Sequence, residues 1–225
     1  HPSSSPWSQL VSLTPEQMAT HSLLIGATGS GKTNLIHHLL MQDIRRGHSI
    51  VLLDLRGDLV SAALELCAVA RLDPHQIKLL DLRDSGVSFG FDPLYGAGEP
   101  YFRALGVLDA VAEESDSWGV QLSETLRNAL LLLAETGEPL TRLENLMYDR
   151  AFRMRLLERC DTDQVLNFWN RFGEMSSERQ NSLVMPVLNK VSLLLATKTL
   201  RGILGHQNPI ELGKHLNKRG SVTLV

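Results

Sequence analysis

The sequence predicts an α/β fold in which helices cover a parallel β-sheet, with an all-helical domain inserted before the chain returns to the sheet. Two apolar runs, Ile50–Leu53 and Ile77–Leu80, each end in an aspartate, which is the pattern of buried parallel strands. The residues between them keep helical spacing, so strand and helix alternate. From about Tyr101 to Leu204 helical spacing recurs without strand-like alternation, which predicts the inserted domain.

The composition is that of an ordinary soluble globular protein. Of the 225 residues, 43% are hydrophobic and 21% are charged, and the formal net charge is -3. This balance gives no sign of a nucleic acid partner, which would have to bind a local patch or a ring of subunits. Cys67 and Cys160 lie far apart in apolar helical patterns, so we expect two buried thiols in a reducing compartment.

The longest apolar run, Ala129–Ala134, is far short of the roughly 20 residues that a membrane-spanning helix needs. We therefore expect a cytoplasmic chain without a membrane segment. The chain opens with His1–Pro6 and has no initial methionine. Such an opening is typical of a processed start, and it leaves open a membrane anchor upstream.

The first elements lead into a glycine-rich loop. Thr14 and Gln17 have the spacing of a helix cap, so a short helix is expected there. The apolar run Leu23–Ile25 predicts a strand that feeds directly into the loop Gly26–Thr33. The helix expected after the loop has apolar residues at helical spacing, namely Leu35, Ile36, Leu39, Leu40 and Ile44.

The loop matches the complete pattern G-x-x-x-x-G-K-[ST] of a phosphate-binding loop. Its members are Gly26, Ala27, Thr28, Gly29, Ser30, Gly31, Lys32 and Thr33. The glycines let backbone N–H groups turn inward, and the following helix N-terminus favours an anion. Lys32 is expected to reach the β- and γ-phosphates, and the Thr33 hydroxyl to coordinate Mg²⁺. We therefore predict an ATP and Mg²⁺ site, with Lys32 and Thr33 as catalytic residues, in a RecA-like P-loop NTPase sheet.

Hydrolysis by such a site also needs a strand that ends in an acid, which holds Mg²⁺ and orients the attacking water. Asp54 could bind the Mg²⁺ ion directly or through a water molecule. Alternatively, it could only close the turn into the next helix. Asp81 ends a strand too, but neither acid is followed by glutamate. The chain stops within the apolar run Val222–Val225, which we expect to be another core strand. We therefore expect a truncated nucleotide-binding domain that hydrolyses ATP weakly by itself.

These elements divide the chain into three segments. Residues 1–98 form the first part of the nucleotide-binding domain, 99–205 the helical insertion, and 206–225 the return to the first domain. In the last segment, Asn208 and Pro209 are expected to cap a short helix.

Within the insertion, Trp169 and Phe172 stand at helical spacing and are expected in the core. Four arginines could follow DNA phosphates or form a solvated surface, and these are Arg150, Arg153, Arg155 and Arg159.

The order of several segments resembles the HerA/FtsK superfamily, particularly its HerA-like and TraG/TraD-like conjugative coupling branch. His21–Thr33 resembles the histidine, strand and phosphate loop of that family, and Val51–Asp58 is similar to its second strand. Phe91–Leu94 resembles its Asn-Pro-Leu turn, with Asp in place of Asn. Pro186–Val191 and Leu200–Gly205 resemble the end of its helical insertion.

The resemblance implies a motor ATPase that couples ATP hydrolysis to the movement of DNA through a ring of six subunits. It also implies secretion or nuclease partners, and a helical insertion that regulates the motor or contacts its substrate. Two alternatives remain open from the residues. One is a P-loop kinase acting on a small molecule, with the helical segment as a lid. The other is a nucleotide-dependent switch that does not hydrolyse ATP.

Overall fold

A computed structural model of the chain describes residues 12, 14–18, 20–84 and 86–225, so the opening His1–Pro6 lies outside the described residues. The helices are α1 (Pro15–Met18), α2 (Lys32–Arg46), α3 (Asp58–Val69), α4 (Pro100–Glu113), α5 (Val120–Thr136), α6 (Leu143–Tyr148), α7 (Arg150–Leu157), α8 (Asp163–Glu174), α9 (Ser177–Val191), α10 (Lys198–Leu204) and α11 (Leu212–Leu216). Short 3₁₀ turns span Pro74–Gln76 and Leu140–Arg142. The strands are β1 (Ile50–Leu52), β2 (Ile77–Leu79) and β3 (Val222–Leu224).

The three strands form one parallel sheet in the order β1-β3-β2. Val222 pairs with Ile50 on one side and with Ile77 on the other, so β3 is central although it is last in the chain. Val222 and Leu224 are buried, which confirms that this run is a core strand. The pairing continues past the strand ends, because the Asp54 N–H donates to the Val225 carbonyl oxygen at 2.8 Å.

Helices α2 and α3 pack against each other, and their apolar faces join those of the sheet in one core. The buried members of this core are Leu40, Ile44, Ile50, Ala63, Cys67, Val222 and Leu224. The alternate residues of β1 point away from it, and Val51 is 54% exposed. The expectation that Ile50–Leu53 is buried on both faces is therefore wrong for this strand. A strand presents every second side chain to each face, and α2 and α3 cover one face only.

The strand expected at Leu23–Ile25 does not form. These residues lie in an irregular segment, with Leu23 82% and Ile25 85% exposed. An apolar run becomes a strand only where a neighbouring strand accepts and donates its backbone hydrogen bonds. In the described chain the sheet has three strands, and none of them pairs with this run. The helix before it does form, and the Thr14 hydroxyl accepts from the Gln17 N–H at 3.3 Å, as the capping pattern predicts.

A second core belongs to the helices α4 to α9, which pack around α5. Trp169 and Phe172 are fully buried there, as the spacing of α8 predicts. Cys160 is buried in the same core, and burial raises the pKa of its thiol to about 11. Cys67 is buried in the core under the sheet, so both cysteines are free buried thiols as expected.

Two crossings of the chain join the helical segment to the sheet. The Phe91 N–H donates to the Ile203 carbonyl oxygen at 3.0 Å, and the Ile210 N–H donates to the Gly90 carbonyl oxygen at 2.9 Å. A side chain at Gly90 would collide with the ring of His206, which explains a glycine at this close approach.

Beyond this crossing the chain makes a turn that starts at Asp92. The Asp92 carboxylate accepts the Leu94 N–H at 3.0 Å, and the Arg103 guanidinium donates to the carbonyl oxygens of Leu94 and Gly96.

Two helix starts differ from the expected ones. Helix α11 begins after Glu211 and not at Asn208 and Pro209. These two residues still belong to the preceding loop. At α3 the pair Gly57-Asp58 predicts a turn with Asp58 as the helix cap, but Gly57, in a left-handed conformation with φ of 86°, precedes the helix and Asp58 is its first residue. The N–H groups of Leu59 and Val60 in the first turn donate to Asp54 instead.

Candidate functional site

The loop Gly26–Gly31 is irregular and runs straight into α2, which begins at Lys32. Gly29 and Gly31 adopt left-handed conformations, with φ of 80° and 89°, which side chains disfavour. The space where their Cβ atoms would lie is open. At Gly26 a Cβ would lie 2.4 Å from the Ser30 Oγ, so the loop folds tightly on itself. The backbone conformation therefore favours glycine at Gly29 and Gly31, and a Cβ at Gly26 would need the Ser30 side chain to move.

The N-terminus of α2 points into this loop. The residue before the helix is Gly31, and no side chain caps the first turn. The first helical bond is from the Leu35 N–H to the Gly31 carbonyl oxygen at 3.0 Å. The N–H groups of the preceding three residues have no intrahelical acceptor, and with the helix dipole they favour an anion.

Lys32 and Thr33 stand at the mouth of the loop. The Lys32 ammonium folds back and donates to the carbonyl oxygens of Gly26 at 2.6 Å and Ala27 at 2.8 Å. The Thr33 side chain belongs to an exposed residue of the first helical turn. A flexible cation and an exposed hydroxyl thus lie beside the unsatisfied N–H groups, which is the set of groups that a triphosphate with its metal would use.

The topology places this loop at the carboxyl edge of the sheet. Helix α2 packs against β1 and is joined to it by only Gly47–Ser49, so its first residues lie toward the end of β1 that carries Asp54. Gly47 ends the helix in a left-handed conformation with φ of 69°, which a glycine adopts without strain. The carboxyl edge of a parallel sheet is where α/β folds bind their ligands.

Asp54 is engaged by backbone groups at this edge. Its Oδ2 accepts the N–H of Leu59 at 2.7 Å and of Val60 at 3.3 Å, and its Oδ1 accepts the N–H of Arg56 at 3.0 Å. These hydrogen bonds, the one from Arg56 first among them, lower the pKa of the carboxyl group. The geometry favours the turn-closing role of Asp54. A metal role stays a prediction.

Asp81 is engaged as well. Its carboxylate accepts two hydrogen bonds of 2.9 Å from the Arg83 guanidinium and one from the Arg83 N–H. The side-chain bonds from Arg83 are the main reason why the pKa of Asp81 falls to about 2. The same guanidinium lies beside Gly57, 3.6 Å from the position that a Cβ there would take. Both acids that end strands are thus partnered within the chain.

The four arginines of the insertion do not present one basic face. Arg153 is buried, 5% exposed, and donates to the carbonyl oxygens of Leu146 and Met147. Arg159 donates to the Thr136 carbonyl oxygen and lies 3.7 Å from a Glu138 carboxylate oxygen. Arg153 therefore belongs neither to a cluster that could follow DNA phosphates nor to a solvated surface.

Other candidate features lie away from the loop. His21, beside the loop in the sequence, is exposed. A cavity of about 1380 Å³ lies between Phe91–Ala97, α4 and α11, and none of the loop residues line it. Among the described residues no three His, Cys, Asp or Glu side chains converge on one point, and no helix is long and apolar enough to cross a membrane.

Comparison with known families gives one match. Residues 8–66 match the family of the type IV secretion-system coupling protein DNA-binding domain. This stretch covers roughly a quarter of the chain and contains the whole loop Gly26–Thr33, α2, β1 and Asp54. It supports a likeness to the TraG/TrwB-like coupling proteins, and it supports DNA as a partner. Comparisons with curated proteins and with solved structures find no match.

Proposed function

We propose that this chain is the nucleotide-binding part of a motor ATPase that moves DNA in conjugation or secretion. The proposal rests on two features that occur in the same stretch of the chain. The stretch that resembles coupling proteins contains a complete phosphate loop, and that loop lies at the open N-terminus of α2. The finer assignment to the HerA/FtsK superfamily rests on the order of the short segments from His21 to Gly205.

The residues of the loop fit ATP and Mg²⁺. The backbone of Gly26–Gly31 and the first turn of α2 would hold the phosphates, and Lys32 would exchange its two carbonyl acceptors for phosphate oxygens. Thr33 would supply a hydroxyl ligand to Mg²⁺. The metal, when bound, neutralises charge on the β- and γ-phosphates. The open space at Gly29 and Gly31 leaves room for this approach.

We expect weak hydrolysis by this chain alone. Positioning of the metal and the water supplies most of the catalysis in phosphoryl transfer. The carboxylates of Asp54 and Asp81 are already partnered by backbone N–H groups and by Arg83. A ring of six subunits, the assembly that the resemblance implies, would bring further groups to the nucleotide from a neighbouring subunit.

The main alternative is a small-molecule kinase. A lid with closely spaced arginines facing the phosphates would favour it. In the described structure Arg153 is buried and Arg159 is held by Thr136 and Glu138, so these two arginines are not available to such a lid.

The test combines three measurements on the purified chain. Calorimetry should detect Mg-ATP binding that Lys32→Ala strongly weakens, and anisotropy should detect binding to duplex DNA that weakens steeply with salt. Light scattering with Mg-ATP and DNA should detect self-association. A chain that binds Mg-ATP but stays monomeric and binds no duplex at low salt would contradict the motor and favour the kinase. Equal Mg-ATP affinity of wild type and Lys32→Ala would contradict the nucleotide site itself.

A further inference from the structure

The connections that precede the three strands meet at one edge of the sheet. They are Gly47–Ser49 before β1, Ala70–Gln76 before β2 and Asn217–Ser221 before β3. Because the strands are parallel and paired in register, their amino ends lie side by side, at the edge opposite the phosphate loop.

Side-chain contacts hold these connections together. The Ser49 hydroxyl donates to the Lys218 carbonyl oxygen at 2.9 Å. The Gln76 amide reaches the Gly220 carbonyl oxygen at 3.4 Å. The Arg219 side chain lies against Gly47, with its Nε 3.4 Å from the position that a Cβ would take. The edge is therefore one continuous surface.

This surface carries an excess of positive charge. We define the basic edge as five exposed cationic residues at the amino ends of the strands, namely Arg45, Arg46, Arg71, Lys218 and Arg219. Two carboxylates of these connections and of the adjoining helix end are those of Asp43 and Asp73. Asp43 pairs with His48 at 2.9 Å, and Asp73 accepts the His75 N–H at 2.9 Å. In the described structure no cation of the basic edge takes part in an ion pair.

The opposite edge carries no such excess of positive charge. Four aspartates lie there, Asp54, Asp58, Asp81 and Asp84, against the cations Lys32, Arg56 and Arg83. The chain as a whole has a net charge of -3, so the basic edge is a local feature that the overall composition hides. Unpaired arginines at a surface are typical of sites that bind phosphate groups through planar, two-pronged hydrogen bonding.

We propose that the basic edge binds the phosphate backbone of duplex DNA. This inference rests on the proposed function and adds the location of the contact, since the matched family is described as DNA-binding and its matched stretch contains Arg45 and Arg46. The contact is with phosphates and reads no base sequence. Because the basic edge and the phosphate loop lie at opposite edges of one sheet, DNA and nucleotide bind without competing for the same residues.

The test compares two triple variants that remove the same number of charges. The first is Arg45→Gln, Arg46→Gln and Arg219→Gln, all exposed residues of the basic edge. The control is Arg171→Gln, Arg179→Gln and Lys198→Gln, exposed residues of the helical segment that are not among the candidate DNA contacts. Arg71 and Lys218 are left unchanged in both variants.

The probe is a fluorescent duplex of about 30 base pairs, titrated at about 50 to 200 mM salt. We expect the first variant to bind at least about tenfold more weakly, with a salt slope smaller by about 2 to 3, because each lost phosphate contact removes close to one released counterion. The control variant should bind like wild type. Mg-ATP affinity should be the same in all three proteins.

The possible contradictions are distinguishable. If wild type binds the duplex and the two triple variants both keep that affinity, or both lose the same amount of it, the proposed role of the basic edge is wrong. The proposed function is then still supported. Wild type that binds no duplex at the lowest salt overturns both the basic edge and the DNA partner, whatever its Mg-ATP affinity. If only the first variant loses binding to vesicles rich in phosphatidylserine, and its DNA affinity stays unchanged, the partner is a membrane surface and the inference is wrong.

Discussion

The Lys32 Nζ lies 2.6 Å from the Gly26 carbonyl oxygen, so the cation of the loop pattern also ties the loop to its own first residue. The same ammonium reaches the Ala27 carbonyl oxygen at 2.8 Å. Phosphate oxygens are stronger acceptors for an ammonium group than neutral carbonyl oxygens are. Binding of a triphosphate would therefore draw Lys32 away from both carbonyls.

The first prediction follows from this exchange. Lys32→Ala should weaken Mg-ATP binding by about 10- to 100-fold, because it removes a charge-assisted hydrogen bond worth about 1.5–3 kcal/mol. Isothermal calorimetry measures the change. Lys198→Ala, an exposed lysine at the start of α10, is the control and should bind Mg-ATP like wild type. Equal losses of Mg-ATP affinity in Lys32→Ala and Lys198→Ala would show that the loss does not come from the phosphate loop.

The second prediction concerns Asp54. Asp54→Ala should lower the melting temperature at neutral pH, because the N–H groups of Arg56, Leu59 and Val60 lose their acceptor. The pKa of Asp54 is lowered in the folded chain, so its contribution is present above the unfolded pKa of about 3.9 and is lost as the pH falls through the folded value. The difference in melting temperature should therefore narrow in acid.

The matched control for Asp54 is Asp58→Ala, an exposed acid at the first position of α3. It should change the melting temperature less, because its side chain carries no described hydrogen bond to the turn. Mg-ATP affinity of Asp54→Ala should fall much less than that of Lys32→Ala. A variant that melts like wild type but loses Mg-ATP affinity would assign Asp54 to the metal.

The third prediction concerns Asp92, where the resembling family has asparagine. Asp92 is buried, and burial raises the pKa of its carboxyl group. A folded pKa above the unfolded one means that the charged form costs stability once the pH has passed the unfolded value. Asp92→Asn should therefore raise the melting temperature at about pH 7, and the gain should shrink toward about pH 4.

The side-chain amide that Asp92→Asn introduces can still accept the Leu94 N–H through its oxygen, as the carboxylate does at 3.0 Å, so the turn is expected to survive. Differential scanning fluorimetry across pH measures the effect. A variant less stable than wild type at neutral pH would show that the carboxylate itself is needed, as an acceptor for the Leu140 N–H as well as for that of Leu94 or through its attraction to Arg103.

The fourth prediction concerns Arg153. Its guanidinium lies 5.6 Å from the ring centre of Trp169 and 5.1 Å from that of Phe172, and it donates to two carbonyl oxygens. Arg153→Lys should destabilise the chain by about 2 kcal/mol, because an ammonium cannot reproduce the planar stacking with both hydrogen bonds. Denaturant unfolding measures this.

DNA affinity of Arg153→Lys under native conditions should stay unchanged, since the buried side chain is not available to phosphates. Arg150→Lys, at an exposed position three residues earlier, is the control and should leave stability unchanged. A loss of DNA affinity in Arg153→Lys without a loss of stability would instead support a surface role for this arginine.

Features that depend on neighbours in the sequence could be predicted well. The loop pattern places glycines at fixed positions, and Gly29 and Gly31 adopt the left-handed conformation that favours glycine. Gly47 ends α2 because a glycine accepts a left-handed conformation without strain. Trp169 and Phe172 are core residues because helical spacing places them on one face of α8. In each case the deciding contacts lie within one or two turns of chain.

Features that depend on partners far away in the chain could not be predicted from the sequence. The run Leu23–Ile25 has the composition of a strand but no paired neighbour among the described residues. Arg153 belongs to a charged sequence pattern, yet carbonyl groups and two aromatic rings bury it. Helix α11 starts after Glu211 instead of at Asn208, and the Ile210 N–H in the intervening loop is held by Gly90 across the junction. Sequence spacing contains no information about such partners.

The sequence by itself determined the glycine positions and turn of the loop, the alternation of strand and helix from Ile50 to Leu79, and the helical segment that follows. These features are set by local backbone preferences and by apolar periodicity. The tertiary structure decided the order β1-β3-β2, which brings the last strand to the centre. It also decided that Arg45, Arg46, Arg71, Lys218 and Arg219 share one edge. The physical reason is that parallel pairing aligns strands far apart in the chain, and with them the charges of their connections.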